Sequence, residues 1–116
     1  MNDNQREFLT VLGYFYLQNG KFDKALILFK ALNELFPDDP YLMKSLSYAF
    51  LVNGEYENAL HLTERLLQDA PTRREDDVGY LLRSKSLWGL GREDEARDLL
   101  KQFLRLREGT NEAETR

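Results

Sequence analysis

A chain of 116 residues carrying a formal net charge of −4 supplies one domain's worth of sequence. Hydrophobic residues make up 42% and charged residues 31%, which excludes wholesale disorder. The acidic balance excludes the broad basic field that nucleic-acid binding needs. The absence of cysteine excludes disulfides, thiolate catalysis and thiolate metal sites.

The chain opens on the polar stretch Met1–Gln5, which lacks a signal-peptide pattern. No apolar run approaches the ~20 residues of a membrane span. Both features predict a cytoplasmic protein with no membrane insertion. Leu9, Leu12, Gly13 and Tyr16 then fall at i, i+3, i+4, i+7, one face of a first helix. Gly20 ends it, because a left-handed residue costs glycine little. Ala25, Leu28, Phe29 and Leu32 mark the buried face of a second helix, and Pro37 prevents its continuation. Asp38-Asp39 lies between Pro37 and Pro40 and reads as a turn and cap, in preference to a cation site.

The pattern then repeats. Met43, Leu46, Ser47 and Phe50 copy the first helix; Gly54 follows; Ala59, Leu62, Leu66 and Leu67 copy the second, and Pro71 closes it. Gly20 to Gly54, Ala25 to Ala59 and Pro37 to Pro71 are each spaced by 34 residues. A third copy follows 37 residues on, at Gly91 and Ala96, with three extra residues in the connector around Thr72–Asp77. Ala96, Leu99, Leu100 and Phe103 mark the buried face of its last helix. The fold class predicted is all-α: three helical hairpins, at about 6–39, 40–73 and 77–108, stacked as a short right-handed solenoid. A polar tail is expected over 109–116. Gly13 and Ser47 are expected where the first helix of a pair (A) meets the second (B), and Ala25, Ala59 and Ala96 on the facing side. Phe15, Tyr16, Phe22 and Tyr56 are expected in core or inter-repeat contacts.

Nothing in the chain builds a reaction centre. The one histidine, His61, lies beside Leu60 and Leu62 on a helix and reads as a surface or groove-edge residue. Glu93, Asp94 and Glu95 open a helix, where acids complement the helix dipole. No phosphate-binding glycine loop or nucleophile elbow occurs. The expectation is a non-enzyme with no metal and no cofactor.

The Leu12-Gly13, Tyr16, Gly20, Ala25, Phe29 and Pro37 pattern resembles the tetratricopeptide repeat (TPR) family over about residues 6–107. Thr63 stands where that family has a large apolar residue, Arg83 where it has leucine, and Glu108 where it has proline. The third repeat is therefore expected to begin irregularly. The resemblance implies a concave wall built from the A helices. At about 100° per residue, the outward stripe of each A helix lies about 120° from its packing face. In the first repeat that stripe carries Glu7, Thr10, Tyr14 and Leu17. In the second it carries Tyr41, Lys44, Tyr48 and Leu51, and in the third Val78, Leu81, Lys85 and Trp88. Two lysines among so many apolar side chains do not make a carboxylate clamp. They predict a trough for an amphipathic helix of another chain. Leu100, Phe103, Leu104 and Leu106 cannot all face inward, so apolar surface is also expected at the C-terminal end.

Gln5-Arg6-Glu7-Phe8-Leu9, Leu17-Gln18-Asn19-Gly20, Ala25-Leu26-Ile27-Leu28 and the stretch Gly91–Leu106 are similar to the small type III secretion chaperones of the YscY type. That resemblance implies a chaperone that holds a small secreted apparatus component (YscX type) and engages the inner-membrane export gate. A chaperone of the needle subunit and a general TPR scaffold or homodimer remain as alternatives.

Overall fold

The computed structural model describes residues 1–68 and 77–115, with side chains to position 108 except 106. Pro71, the connector 72–76 and the side chain of Leu106 lie outside them. Six helices account for the described chain: α1 (Asp3–Gln18), α2 (Phe22–Leu35), α3 (Pro40–Val52), α4 (Tyr56–Gln68), α5 (Asp77–Gly89) and α6 (Glu93–Thr115).

Local chemistry sets the ends of these helices. Asn2 caps α1 through a reciprocal box: its side-chain oxygen accepts from the Gln5 amide at 2.8 Å, and its own amide donates to Gln5 Oε1 at 3.0 Å. The helix thus begins three residues before the predicted repeat. Asp39 caps α3 by accepting from the Tyr41 amide at 3.0 Å, with Pro40 in the first turn, as the turn-and-cap reading requires. All three A-to-B turns are alike. Gly20, Gly54 and Gly91 adopt φ of 72°, 78° and 80°. The next amide, of Lys21, Glu55 or Arg92, reaches back five residues to the carbonyl of Tyr16, Phe50 or Leu87 at 2.8–2.9 Å.

Each helix packs on its sequence neighbours, and the A helices also meet one another, α1 on α3 and α3 on α5. That is the contact pattern of a solenoid. The radius of gyration is 15.1 Å, against about 13 Å for a globule of this length. One core cluster runs through α1–α4 and a second through α4–α6. Gly79 lets α5 come close to α4: a Cβ there would sit 3.1 Å from Leu66 and 3.2 Å from Leu67. At the other end Arg6 spans the first two repeats, 3.3 Å from Asp39 and stacked over the Phe36 ring.

The small residues do meet the opposite helix. The position of a Gly13 Cβ lies 2.4 Å from the tip of Phe29, a ring with no exposure at all. One period on, the same two positions are Ser47 and Thr63, both fully buried. As the A-helix residue grows from glycine to serine, the facing residue shrinks from phenylalanine to threonine. Thr63 is thus a size match, and its hydroxyl is satisfied by the Leu60 carbonyl at 2.9 Å.

The structure corrects four expectations. Phe15 is exposed, because it faces away from α2 and α3. Leu100 is only partly covered, because no further helix lies over it. Arg83 does not interrupt α5, which runs regularly from Asp77 to Gly89, and it is directed at Glu64 across 3.8 Å. The stretch from Gly109 continues α6 to Thr115 and does not form a separate tail.

Candidate functional site

The A helices deliver the expected stripe to one side of the stack, but they grade it. Tyr41 is 59% exposed, Tyr48 41% and Trp88 55%; Val78, Leu81 and Lys85 are exposed beside them. Tyr14, Lys44 and Leu51 are half-buried. Thr10 and Leu17 are corrections: Thr10 is buried, its hydroxyl donating to the Arg6 carbonyl at 2.8 Å, and Leu17, at 9% exposure, belongs to the first core cluster. They form floor, and the wall stands on the others.

Tyr14 is the best-held member. Its ring meets Phe29 edge-on at 5.4 Å and tilts against Tyr48 at 6.3 Å. Its hydroxyl shares a 2.8 Å hydrogen bond with Ser45, whose own hydroxyl donates to the Tyr41 carbonyl at 3.0 Å. Burial pushes the phenol above the usual value near 10, although the Ser45 hydrogen bond pulls it down; Tyr41 and Tyr48 add to the rise. The folded state therefore holds this proton more tightly than the unfolded chain. Its contribution is fully present below about pH 10 and is lost as pH climbs through the raised folded value. Urea unfolding between pH 9 and 11.5 should show that loss in the native chain and a shallower one in Tyr14→Phe.

Two cavities indent this side. One of about 390 Å³ is lined by Tyr14, Leu17, Gln18, Phe22, Tyr48 and Val52, at the seam between the first two repeats. The other, of about 200 Å³, is lined by Leu81, Ser84, Lys85, Trp88, Ala96 and Leu100. Gln18, Phe22 and Val52 were not in the predicted wall. The signal was available: Gln18 and Val52 share one repeat position, one helical turn beyond Tyr14 and Tyr48. Ser84 also went unnoticed. Its hydroxyl is buried without a partner, whereas Ser47, one repeat earlier, donates to the Met43 carbonyl at 2.8 Å.

His61 is exposed on α4. No cluster of metal-ligating side chains occurs among the described residues. No described helix is long and apolar enough to cross a membrane.

A family model described as "YfiO: Outer membrane lipoprotein" matches residues 2–112. The chain belongs to the YfiO family. Among solved structures, a thermophilic TPR protein of Thermus thermophilus, TTC0263, matches with a TM-score of 0.68 at 25% identity. The match covers 87% of this YfiO-family chain and 53% of that one, so the chain spans about half the length of its solved relative. No curated protein matches it. The TPR resemblance holds, and with it the reading of a scaffold for protein–protein interaction.

Proposed function

We propose that the A-helix wall holds an apolar helix of another protein and keeps that protein soluble. The observation that carries this reading is the exposure of Tyr41, Tyr48, Val78, Leu81 and Trp88 together on the neighbouring helices α3 and α5. Large contiguous apolar patches are uncommon on a lone monomer, and tyrosine and tryptophan dominate binding energy where they are buried by a partner. The terminal and turn segments similar to YscY-type chaperones support a guest of one class. That guest is a small secreted type III component bearing an amphipathic helix, delivered from the cytoplasm to the export gate. A needle subunit is the runner-up guest.

The family match favours a second reading. The matching family is described as an outer membrane lipoprotein, which supports a module that works in the cell envelope on envelope partners.

Co-expression with small secreted type III components tests the first reading. A complex should co-purify, and the emission of Trp88, the sole tryptophan, should shift to the blue as its ring is covered. If no such component comes through with the chain and the chain is a stable monomer alone, the chaperone reading fails. Fractionation of the cells that make the protein then decides for or against the envelope reading.

A further inference from the structure

The two ends of the solenoid are faces that its own interior keeps covered. The 34-residue period maps Phe8, Val11, Leu12 and Phe15 of α1 onto Leu42, Ser45, Leu46 and Ala49 of α3. All four α3 residues are buried under the first repeat. The same positions in α5 include Gly79, Leu82 and Ser86, buried under the second. On α1 three of them are open, Phe8 at 67% exposure, Val11 at 61% and Phe15 at 56%, and Leu12 is half-buried.

The opposite end is the complementary half of that interface. Leu66 and Leu67 of α4, which cover Gly79, map onto Phe103 and Leu104 of α6. Leu104 is exposed, and Leu100 beside it is only partly covered. Between α5 and α6 lies the 200 Å³ cavity, lined almost wholly by carbon, with the unpartnered Ser84 hydroxyl at its wall.

We propose that a second copy of this chain docks its α1 on the α5–α6 end, in the register of a fourth repeat. The contacts between repeats inside the molecule specify the pairs this creates. Gly79 against Leu66 and Leu67 becomes Phe8 of the second copy against Leu104, next to Phe103, which is already buried against Tyr80. Arg83 facing Glu64 becomes Leu12 of the second copy over the stem of Lys101. Tyr14, bonded to Ser45, whose hydroxyl donates to the Tyr41 carbonyl one turn back, becomes Lys85 beside Val11 of the second copy and one turn from its Glu7. Glu7 thus arrives near a lysine, a charge match that an unrelated helix has no reason to supply. This pairing selects the second copy as the occupant. The contact is heterologous, so it does not close on a two-fold axis; copies add end to end and lengthen the A-helix wall. It shares Lys85 and the 200 Å³ cavity with the wall, and Phe8 and Leu104, which lie outside the wall, tell it apart from the guest reading.

Sedimentation velocity of the full chain from micromolar to millimolar should show species growing past the dimer. Phe8→Glu and Leu104→Glu each alter an exposed side chain, and each should be monomeric with an unchanged far-UV circular dichroism spectrum. Mixed in equal amounts they should form a 1:1 dimer and nothing larger, since each retains the face the other has lost. Should either variant fail to fold, Val11→Glu or Leu100→Glu takes its place with the same expected results. A native chain that stays monomeric throughout overturns the proposal. So does a single variant that still dimerises alone, which marks a symmetric contact, or a mixture that stays monomeric. Glu7→Lys should weaken association at least tenfold, and Lys85→Glu added to it should restore the loss; failure of that rescue removes the second copy as the assigned occupant.

Discussion

Gly13→Ser should cost more than about 2 kcal/mol of stability, although serine is the better helix former at an ordinary position. The new Cβ would lie 2.4 Å from Cζ and 2.6 Å from Cε1 of Phe29. That ring cannot retreat: it is fully buried, and Tyr14 stands against its edge. The strain must go into the α1–α2 separation, which the Arg6–Asp39 and Tyr14–Ser45 contacts to the second repeat also resist. Phe29→Thr alone leaves a hole in the first core cluster and should cost about 3–5 kcal/mol. Together the two changes install the pair that the second repeat already uses, Ser47 with Thr63. The double variant should therefore be more stable than the sum of the single losses allows, by about 1–3 kcal/mol. Urea unfolding followed by circular dichroism measures all three. Gly89→Ala is the control. Its Cβ would also come close to a ring, that of Tyr56, at 2.5 Å, but Tyr56 is half-exposed and can swing toward solvent. The loss there should be smaller. Strict additivity of Gly13→Ser and Phe29→Thr would show that the two positions are not sized to each other.

The period was the most legible property of this chain, because every A-to-B turn needs the same residue at the same place. Gly20, Gly54 and Gly91 are needed for φ near 75°, and no other residue takes that conformation as cheaply. The wall was legible only in part. A helical wheel treats each helix as if it stood alone, and exposure in a stack depends on what lies over it. One repeat position shows this plainly: Leu17 is buried, Leu51 half-buried and Trp88 exposed. Their angle on the helix is the same, and the covering helix is present at one end and missing at the other. Phe15 misled for the same reason. It lies on the inter-repeat face of α1, where the equivalent Ala49 is sealed, and nothing in the local pattern tells a covered inter-repeat face from an open one. Arg83 is the reverse case. A charge in an apolar position predicted an irregular start, but a long side chain can bury its stem and carry its guanidinium toward Glu64.

Tyr48→Asp and Trp88→Ala should each weaken guest binding about thirtyfold or more, from the ~2 kcal/mol or greater that a buried aromatic anchor contributes. Isothermal titration with the co-purified component measures the loss. Both rings project from helices whose opposite faces are secured. Ser45, Ser47 and Ala49 hold α3, and Leu82, Ser86 and Leu87 hold α5, all buried. Truncating either ring therefore changes surface and leaves the core intact, and stability should move by less than about 0.5 kcal/mol. Lys85→Ala should cost less than about fivefold, because an exposed ammonium contributes little to affinity through a screened charge. The order of these effects is the test of mechanism. If Lys85→Ala proved more damaging than Tyr48→Asp, the wall would be reading charge, and the guest would be an acidic segment. If the aromatic variants dominate and added salt leaves their losses unchanged, the driving force is removal of apolar surface from water. A helix seated there would bridge the seam from Tyr48 on α3 to Trp88 on α5. Its apolar residues would then be spaced by the distance between A helices, so a single substitution at either end should shorten the contact without abolishing it. Loss of both anchors should abolish it.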